Sequence, residues 1–195
     1  MTQDRETARR IAQEVQPLGG SVYYVGGCVR DRLLGRESKD LDIEVHGVTP
    51  QQLEAVLDRM GGRRTVGASF GVYGLAGCGL ERAARRRDFT VNALMEDVLT
   101  GQVLDFFGGR EDLRRGLLRH VDDHSFPEDP LRVLRGAQFA ARFGFTVAKE
   151  TVALCRTMDL SALSRERVEG ELQKALLQAP RPSIFFRTLD TMHQL

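Results

Sequence analysis

The sequence has little cysteine and no long apolar run. Its three cysteines, Cys28, Cys78 and Cys155, are far apart and form no CxxC pair, which argues against a disulfide framework and against a zinc site. No apolar stretch approaches the roughly 20 residues that span a bilayer, and the polar N-terminus is unlike a secretory signal. These absences predict reduced thiols, no membrane partner and a cytoplasmic location.

Net charge is also small, because 28 basic residues face 27 acidic ones and leave +1. No global field therefore points to a nucleic-acid partner, and residues 121–195 are balanced as well, with ten basic and ten acidic side chains. Lysine occurs only three times, so arginine supplies the other 25 cations. The planar fork of arginine suits phosphate groups, but GC-rich coding explains the total equally well. Only arginines inside motifs are therefore functional candidates.

The periodicity of the sequence changes near residue 120. Before it, helical and strand-like segments alternate; helices are predicted at residues 3–16, 29–34 and 49–60, and strands at residues 21–25, 40–45 and 69–76. After it, helical spacing dominates at residues 130–143, 151–158, 165–178 and 183–195. The pattern predicts an α+β fold in which a domain over residues 1–120, a small mixed sheet with helices on one face, precedes an all-α domain over residues 121–195.

Two glycines and two aspartates in the first domain suggest chemistry. Gly26 and Gly27 interrupt a strand and open a helix, where backbone N–H groups and the helix dipole suit an anionic phosphate. Asp40 and Asp42 are two residues apart on a strand and so point to the same side. Alone, such a pair also fits a solvated strand face. Beside a phosphate-binding turn, the pair is suited to hold Mg²⁺, which binds through one or two carboxylates and substrate phosphates.

Five segments in order carry a more specific signal. They are GGCVRDRLLGRESKDLDIEV (26–45), RRRDFTVNAL (85–94), DFFGGREDL (105–113), EDPLRVLRGAQFAARFGF (128–145) and LSRERVEGELQKAL (163–176). These segments resemble the motifs of class II tRNA nucleotidyltransferases, the CCA-adding enzymes, and of bacterial poly(A) polymerases. In that family they are the nucleotidyltransferase motif, the ribose-contacting motif, the hinge, the base-contacting motif and the supporting neck helix. The resemblance implies a nucleotidyltransferase head and a helical neck, without the family's body and tail.

The resemblance also assigns roles to the glycines and aspartates. By position, Asp40 and Asp42 would be the catalytic carboxylates that hold two Mg²⁺ ions. The triphosphate of ATP or CTP would lie against Gly26, Gly27 and Arg30.

Further positions match the sugar-reading and base-reading motifs of the family. The ribose positions are Arg87, Asp88 and Asn92. In the neck, Asp129 and Arg132 would hydrogen-bond the edge of cytosine or adenine. Arg135 would also belong to the nucleotide-binding residues. Without the resemblance, this spacing also fits a surface ion-pair ladder worth about 0.3–0.5 kcal/mol per pair. Gln138 stands where some members carry a further arginine.

The implied activity is template-independent addition of C, A or both from CTP and ATP to the 3′ end of tRNA, with release of pyrophosphate. CCA addition, CC or A addition and poly(A) synthesis share these motifs, so the sequence leaves them open. A non-catalytic nucleotide- or RNA-binding module, or a fragment that needs a partner to bind tRNA, is the alternative from another class, and the short chain favours it. The oligomeric state also stays open.

One part of the family pattern is not found, either because of a real deletion or because a disordered or excised segment is left out of this sequence. Between the strand at 69–77 and the segment at 85–94, relatives carry a further strand with a third acidic residue and then a flexible loop. Here Glu81 is the sole acid in that interval, and it also fits the start of a helical turn. The four histidines, His46, His120, His124 and His193, lack metal-like spacing and are predicted to be surface or hinge residues.

Overall fold

The computed structural model describes residues 3–38, 40–60, 70–75 and 77–195. The chain divides into two compact units, neither of which is one continuous stretch. Unit 1 comprises Met1–Ala84 and Asn92–Phe106, and unit 2 comprises Arg85–Val91 and Phe107–Leu195. The chain therefore enters unit 2 briefly, returns to unit 1 and then leaves it again. No helix in the described ranges is long and apolar enough to cross a membrane.

Unit 1 is built on a five-stranded sheet with the strand order β3-β2-β1-β4-β5. Strands β2 and β3 are parallel and the other neighbours are antiparallel. The elements are α1 (Gln3–Val15), β1 (Ser21–Val25), α2 (Gly27–Leu33), β2 (Leu41–His46), α3 (Pro50–Arg59), β3 (Phe70–Leu75), α4 (Leu80–Arg85), β4 (Met95–Asp97) and β5 (Val103–Leu104). The predicted mixed sheet in an α+β fold is confirmed.

The alternation of side chains along β2 decides which face of the sheet the helices cover. Ile43 is fully buried, and it pairs with Tyr24 of β1, whose ring lies under the guanidinium of Arg5 from α1. On the same face, Gly74 of β3 lies against α3. Helices α1 and α3 therefore cover this face. Asp42, one residue before Ile43, points to the opposite face.

Unit 2 is mainly helical and is centred on α6. Its elements are α5 (Gly109–Arg115), β6 (Leu117–Leu118), α6 (Leu131–Phe143), β7 (Thr146–Val147), α7 (Lys149–Cys155), α8 (Arg165–Gln178) and α9 (Ser183–Thr191). Both α8 and α9 pack against α6. The ring of Phe89 packs edge-to-face on Phe126 and Phe139, with centroids 5.5 and 5.9 Å away. A Cβ atom at Gly136 of α6 would lie 3.1 Å from the Phe89 ring, so this glycine allows the close packing.

Several element bounds differ from the periodicity. Strands β6 and β7 form a two-residue parallel pair, and β7 lies where only helices are predicted. Two residues are too few to show strand alternation. Helix α9 ends at Thr191, and His193 just beyond it has a φ of 56°, which ends the helical conformation. The predicted strand over 69–76 forms as Phe70–Leu75, while residues 69 and 76 lie outside the described residues.

The domain boundary at residue 120 stays a prediction. The two compact units are divided after Ala84, after Val91 and after Phe106. Thr90 N donates to Arg119 O at 2.9 Å, and Val121 N donates to Asp88 O at 3.2 Å. These bonds, with the packing of Phe89, place residues 85–91 and the chain after residue 107 in one unit. Such pairing between distant segments leaves no periodic signal in the sequence.

Candidate active site

The predicted glycine turn forms at the end of β1. Gly26 precedes α2 with φ 70° and ψ −135°, a backbone conformation that glycine alone adopts readily. Gly27 begins α2, and a Cβ atom there would lie 3.3 Å from Nη2 of Arg30. The Sγ atom of Cys28 donates to Val25 O at 3.1 Å and lies 3.9 Å from the backbone oxygen of Asp42. The turn therefore lies next to β2, beside the backbone of Asp42.

Arg30 is buried and held inside unit 1. Its Nε and Nη2 donate to Oδ1 of Asp31 at 2.9 and 2.7 Å, and its Nη1 donates to Oδ1 of Asn92 at 2.6 Å. The structure thus brings together Arg30 and Asn92, which the sequence places 62 residues apart. A contact of Arg30 with a triphosphate stays a prediction, because only 4% of this residue is exposed.

The two aspartates of the DxD pair differ in their surroundings. Asp40 precedes β2 and is exposed, and its backbone oxygen accepts a bond from Ser38 Oγ at 2.8 Å. Asp42 is part-buried on β2 and pairs with Gly71 of the parallel strand β3. A Cβ atom at Gly71 would collide with Oδ1 of Asp42 and would lie 3.0 Å from the ring of Tyr73. Gly71 therefore leaves the space that the Asp42 carboxylate occupies.

These carboxylates suit one kind of metal ion. In the part of the chain that the structure describes, no group of three or more His, Cys, Asp or Glu side chains is placed to hold a metal. Mg²⁺ does not need such a group, because it uses one or two carboxylates together with water and substrate phosphates. Asp40 and Asp42 supply hard oxygen ligands of that type, and the missing Cβ at Gly71 leaves room for one of them. The donor set fits Mg²⁺ and does not fit zinc.

In unit 2, Asp88 is buried and its carboxylate is fully engaged. Oδ1 accepts a bond from the backbone N–H of Phe89 at 2.7 Å, and Oδ2 accepts bonds from Nε and Nη2 of Arg135, both at 2.8 Å. Burial opposes the charged form of Arg135, but the carboxylates of Asp88, Glu171 and Asp129 together outweigh it, and the pKa of Arg135 is raised above its ordinary value. The structure thus joins the predicted ribose and base segments. Arg87, next to Asp88, is part-buried.

Asp129 and Arg132 are each anchored to another segment of unit 2. Both oxygens of Asp129 accept bonds of 3.0 Å from Nη2 of Arg167 on α8, and Oδ1 also accepts a bond from Leu131 N at 3.1 Å. Arg132 donates through Nη1 to Ser125 O at 2.6 Å and through Nη2 to the backbone oxygen of Arg86 at 2.8 Å. Apart from Leu131 N, the partners Arg167, Ser125 and Arg86 lie outside α6, whereas an ion-pair ladder would place them along that helix.

Sequence reasoning missed part of this site, and two of the four histidines are not at the surface. Arg167, which lies 38 residues from Asp129, was not named as a site residue, although it belongs to the segment 163–176 that resembles the supporting neck helix. His46 and His120 are buried, so neither is a surface residue, and a hinge position for them stays a prediction. Each ring nitrogen of these two side chains has a polar partner. Glu81 lies exposed in the first turn of α4, as the helical-turn interpretation predicts.

A family model decides the assignment of the chain. The model of the poly A polymerase head domain matches residues 22–77 and 76–119, which together are half of the chain. The chain belongs to the poly A polymerase head domain family. The two matched segments overlap at residues 76–77, directly before the interval between residues 77 and 85 in which family residues are expected to be missing.

Curated members of the family have a similar sequence but are longer. The multifunctional CCA protein of Stenotrophomonas maltophilia (strain K279a) is 44% identical over 209 residues, covering 89% of this chain and 50% of that protein. The CCA-adding enzyme of Pseudomonas putida is 42% identical over 204 residues, covering 87% of this chain and 53% of that protein. The chain spans about half the length of the curated relatives it matches. Because 209 aligned positions exceed its 195 residues, the relative also carries residues that this chain lacks.

Solved structures of CCA-adding enzymes have the same fold. The Thermotoga maritima enzyme complexed with tRNA matches with a TM-score of 0.84 and 27% identity, covering 97% of this chain and 50% of that one. The Bacillus stearothermophilus enzyme in complex with CTP matches with a TM-score of 0.81 and 31% identity, covering 97% and 52%. The family resemblance predicted from five sequence segments is confirmed.

Proposed function

We propose that this chain is the catalytic and nucleotide-selecting part of a tRNA nucleotidyltransferase, which adds C, A or both to an RNA 3′ end and releases pyrophosphate. The observation that carries the proposal is the joint placement of the Gly26–Gly27 turn and Asp42 in unit 1, through the contacts of Cys28. A close-approach turn beside hard carboxylates suits a nucleoside triphosphate with its metal ion. The likeness to CCA-adding enzymes in complex with tRNA and CTP supports the same substrates here.

The reaction needs no covalent enzyme intermediate. The 3′-hydroxyl oxygen of the RNA attacks the α-phosphorus of the nucleotide, and the bond from that phosphorus to the bridging oxygen breaks, so that pyrophosphate leaves. Mg²⁺ held by Asp40 and Asp42 would neutralise the charge that develops on the attacking and leaving oxygens. The Gly26–Gly27 turn lets the backbone approach the phosphates. Arg30, buried beside Gly27 and bonded to Asp31 and Asn92, holds that region of unit 1 in place.

Selection of the nucleotide is assigned to the remaining predicted residues. We assign sugar recognition to Arg87, Asp88 and Asn92, and base recognition to Asp129 and Arg132. A carboxylate and a guanidinium offer acceptors and donors that match the edges of cytosine and adenine. The anchoring of Asp129 by Arg167 and of Arg132 by two backbone oxygens supports this assignment, because recognition by hydrogen bonds needs side chains of fixed orientation. Arg135 serves by holding Asp88.

A second candidate is a nucleotide-binding module that requires a partner for tRNA. The observation in its favour is that the chain spans about half the length of its curated relatives. Poly(A) synthesis is a third outcome, since the matching family model is named for it. A binding module, a poly(A) polymerase and a CCA-adding enzyme would each give a different product from a tRNA with a defined 3′ end.

One experiment separates these candidates. The chain is incubated with Mg²⁺, labelled CTP or ATP, and tRNAs that end before C, CC or CCA, and the product length is read on a gel. We expect partial C or A addition at a low rate, because the strand and loop expected between residues 77 and 85 belong to the family's complete catalytic head. A full CCA end at an ordinary turnover of about 1–10³ per second would show that this strand and loop are dispensable. Binding of CTP or ATP without transfer would favour the module, and long A tails would favour poly(A) synthesis.

A further inference from the structure

The segment from Asp88 to Thr90 is held in three ways inside unit 2. Its backbone pairs with residues 119–121 through hydrogen bonds of 2.9 and 3.2 Å. Its carboxylate is bonded to Arg135. The third hold is the hydroxyl of Thr90, which donates to Oδ2 of Asp112 at 2.7 Å. The first two contacts involve the backbone and Asp88, which is already assigned to the nucleotide site. Asp112 belongs to the predicted hinge segment 105–113 and has no role assigned in nucleotide selection.

The bond between Thr90 and Asp112 is buried and charge-assisted. Thr90 is 2% exposed and Asp112 is 5% exposed, so bulk water does not compete for either partner. A hydrogen bond to a charged acceptor is stronger than one between neutral groups. Because threonine is branched at Cβ, its χ1 angle has few allowed values, and fixing the hydroxyl also fixes the backbone that carries it. That backbone begins the 3₁₀ turn Thr90–Asn92 and directly follows the Asp88 region.

The position of Asp112 is itself fixed by other contacts. It lies on α5, which follows Gly108 with a φ of 74°, and its backbone N–H donates to Gly108 O at 3.1 Å. Its Oδ2 also accepts a bond from Nε of Arg119 at 3.2 Å, and Arg119 forms a second ion pair with Glu150 of α7. The carboxylate is therefore held from the helix side and from the arginine side. The side chain of Thr90 is attached to this carboxylate by one bond, and the backbone N–H of Thr90 donates to Arg119 O.

We propose that Asp112 is a positioning residue for the choice of ribonucleotides over deoxyribonucleotides, acting through Thr90 on Arg87 and Asp88. The inference rests on the proposed function, which assigns Arg87 and Asp88 to the nucleotide sugar. Recognition of one 2′-hydroxyl depends on one or two hydrogen bonds, and such bonds weaken steeply when distance and angle change. Removing the bond between Thr90 and Asp112 leaves the backbone bonds and the Asp88–Arg135 pair in place, so the segment shifts only slightly. A slight shift acts most on the contact with the most demanding geometry.

The test removes the bond from each end. Thr90→Val keeps the shape of the side chain but removes the donor, Asp112→Asn removes the charge of the acceptor, and Thr90→Ser keeps the hydroxyl. The Kd values of CTP and dCTP are measured with Mg²⁺ by calorimetry, and kcat/KM is measured for both nucleotides in the transfer reaction. For Thr90→Val we expect the preference for CTP over dCTP to fall about three- to tenfold, with dCTP binding nearly unchanged. Asp112→Asn should also lower the preference for CTP over dCTP, and Thr90→Ser should retain most of that preference.

A matched control is Thr188→Val, which removes a threonine hydroxyl that donates to Ile184 O at 2.7 Å on α9 of the same unit. Its preference should equal that of the wild type. The inference is overturned if Thr90→Val and Asp112→Asn lower only the melting temperature or kcat and leave the CTP to dCTP ratio unchanged. Should Thr90→Val not fold, the comparison of Thr90→Ser with Asp112→Asn decides. A wild type that prefers CTP in binding but transfers nothing overturns the proposed function, while the binding ratio still decides the role of Asp112.

Discussion

The two compact units carry opposite net charges. Unit 1 has 11 basic and 14 acidic residues, a net charge of −3, and unit 2 has 17 basic and 13 acidic residues, a net charge of +4. The net charge of the whole chain, +1, conceals this contrast. Dividing the sequence at residue 120 conceals it too, because the arginines at 85–87 belong to unit 2 but are then counted with the residues of unit 1. Arguments about partners from net charge therefore need the compact units and not halves of the sequence.

The units also use arginine differently. In unit 1, Arg30 is enclosed between Asp31 and Asn92 and is 4% exposed. In unit 2, the Arg135 side chain is bonded to Asp88 along one edge and is still 34% exposed. A buried guanidinium mainly organises the protein around it, whereas a half-exposed one that is held at one edge offers donors of fixed direction. The acidic unit thus suits the metal ion proposed at Asp40 and Asp42, and the basic unit suits an anionic RNA.

The largest expected effect is in the acidic unit. Replacing the candidate metal ligands, by Asp40→Ala or Asp42→Ala, should abolish nucleotide transfer, because Mg²⁺ loses a carboxylate ligand. The fold should survive, since Asp40 is exposed and Asp42 is only part-buried. Transfer is measured with labelled CTP and folding by thermal melting. Asp58→Ala, an exposed carboxylate on α3, is the control and should retain activity. Near-normal transfer by both site variants would remove these residues as metal ligands.

A smaller effect is expected from the strand beside Asp42. Gly71→Ala places a Cβ atom where Oδ1 of Asp42 lies, so the carboxylate must move. We expect transfer to fall about 10- to 100-fold and the Mg²⁺ concentration for half-maximal activity to rise, with an overpacking cost of about 1–3 kcal/mol in stability. Gly74→Ala is the matched control, because its Cβ meets only the flexible end of Leu53 on the other face of the sheet. Equal Mg²⁺ requirements in the two variants would contradict the role given to Gly71.

What the sequence predicted follows from how local each signal is. The Gly26–Gly27 turn and the common side of Asp40 and Asp42 depend on neighbouring residues, and the turn forms as predicted. The pairs Arg30–Asn92, Asp88–Arg135 and Asp129–Arg167 are 62, 47 and 38 residues apart, and no periodicity encodes them. The same reason explains why the paths of the two compact units were not predicted. Family motifs pointed to most members of these pairs, but not to their contacts.

The basic unit should control the choice of base. Asp129→Ala and Arg132→Ala should reduce the preference for CTP and ATP over the other nucleotides about tenfold or more, because each removes hydrogen-bonding groups for the base edge. Affinity for the triphosphate should change less, since its predicted contacts lie in unit 1. The ratio of kcat/KM across four nucleotides measures the effect. Arg165→Ala, whose side chain is 91% exposed, is the control. A constant ratio in both site variants would remove the template role.

The smallest expected effect concerns RNA and tests the charge contrast itself. With net charges of −3 on one unit and +4 on the other, the chain neutralises few phosphates, so tRNA binding should be weak. The logarithm of the tRNA binding constant should fall with the logarithm of the salt concentration at a slope of about −2. Fluorescence anisotropy between 50 and 200 mM salt measures this slope. Arg86→Glu, exposed in the basic unit, should weaken binding about three- to tenfold, whereas Arg59→Glu in the acidic unit should change it less than about twofold. Because both substitutions change the net charge by the same amount, only a local field distinguishes them. Equal effects, or tight binding with a steep salt slope, would show that the contrast between the units does not govern RNA affinity.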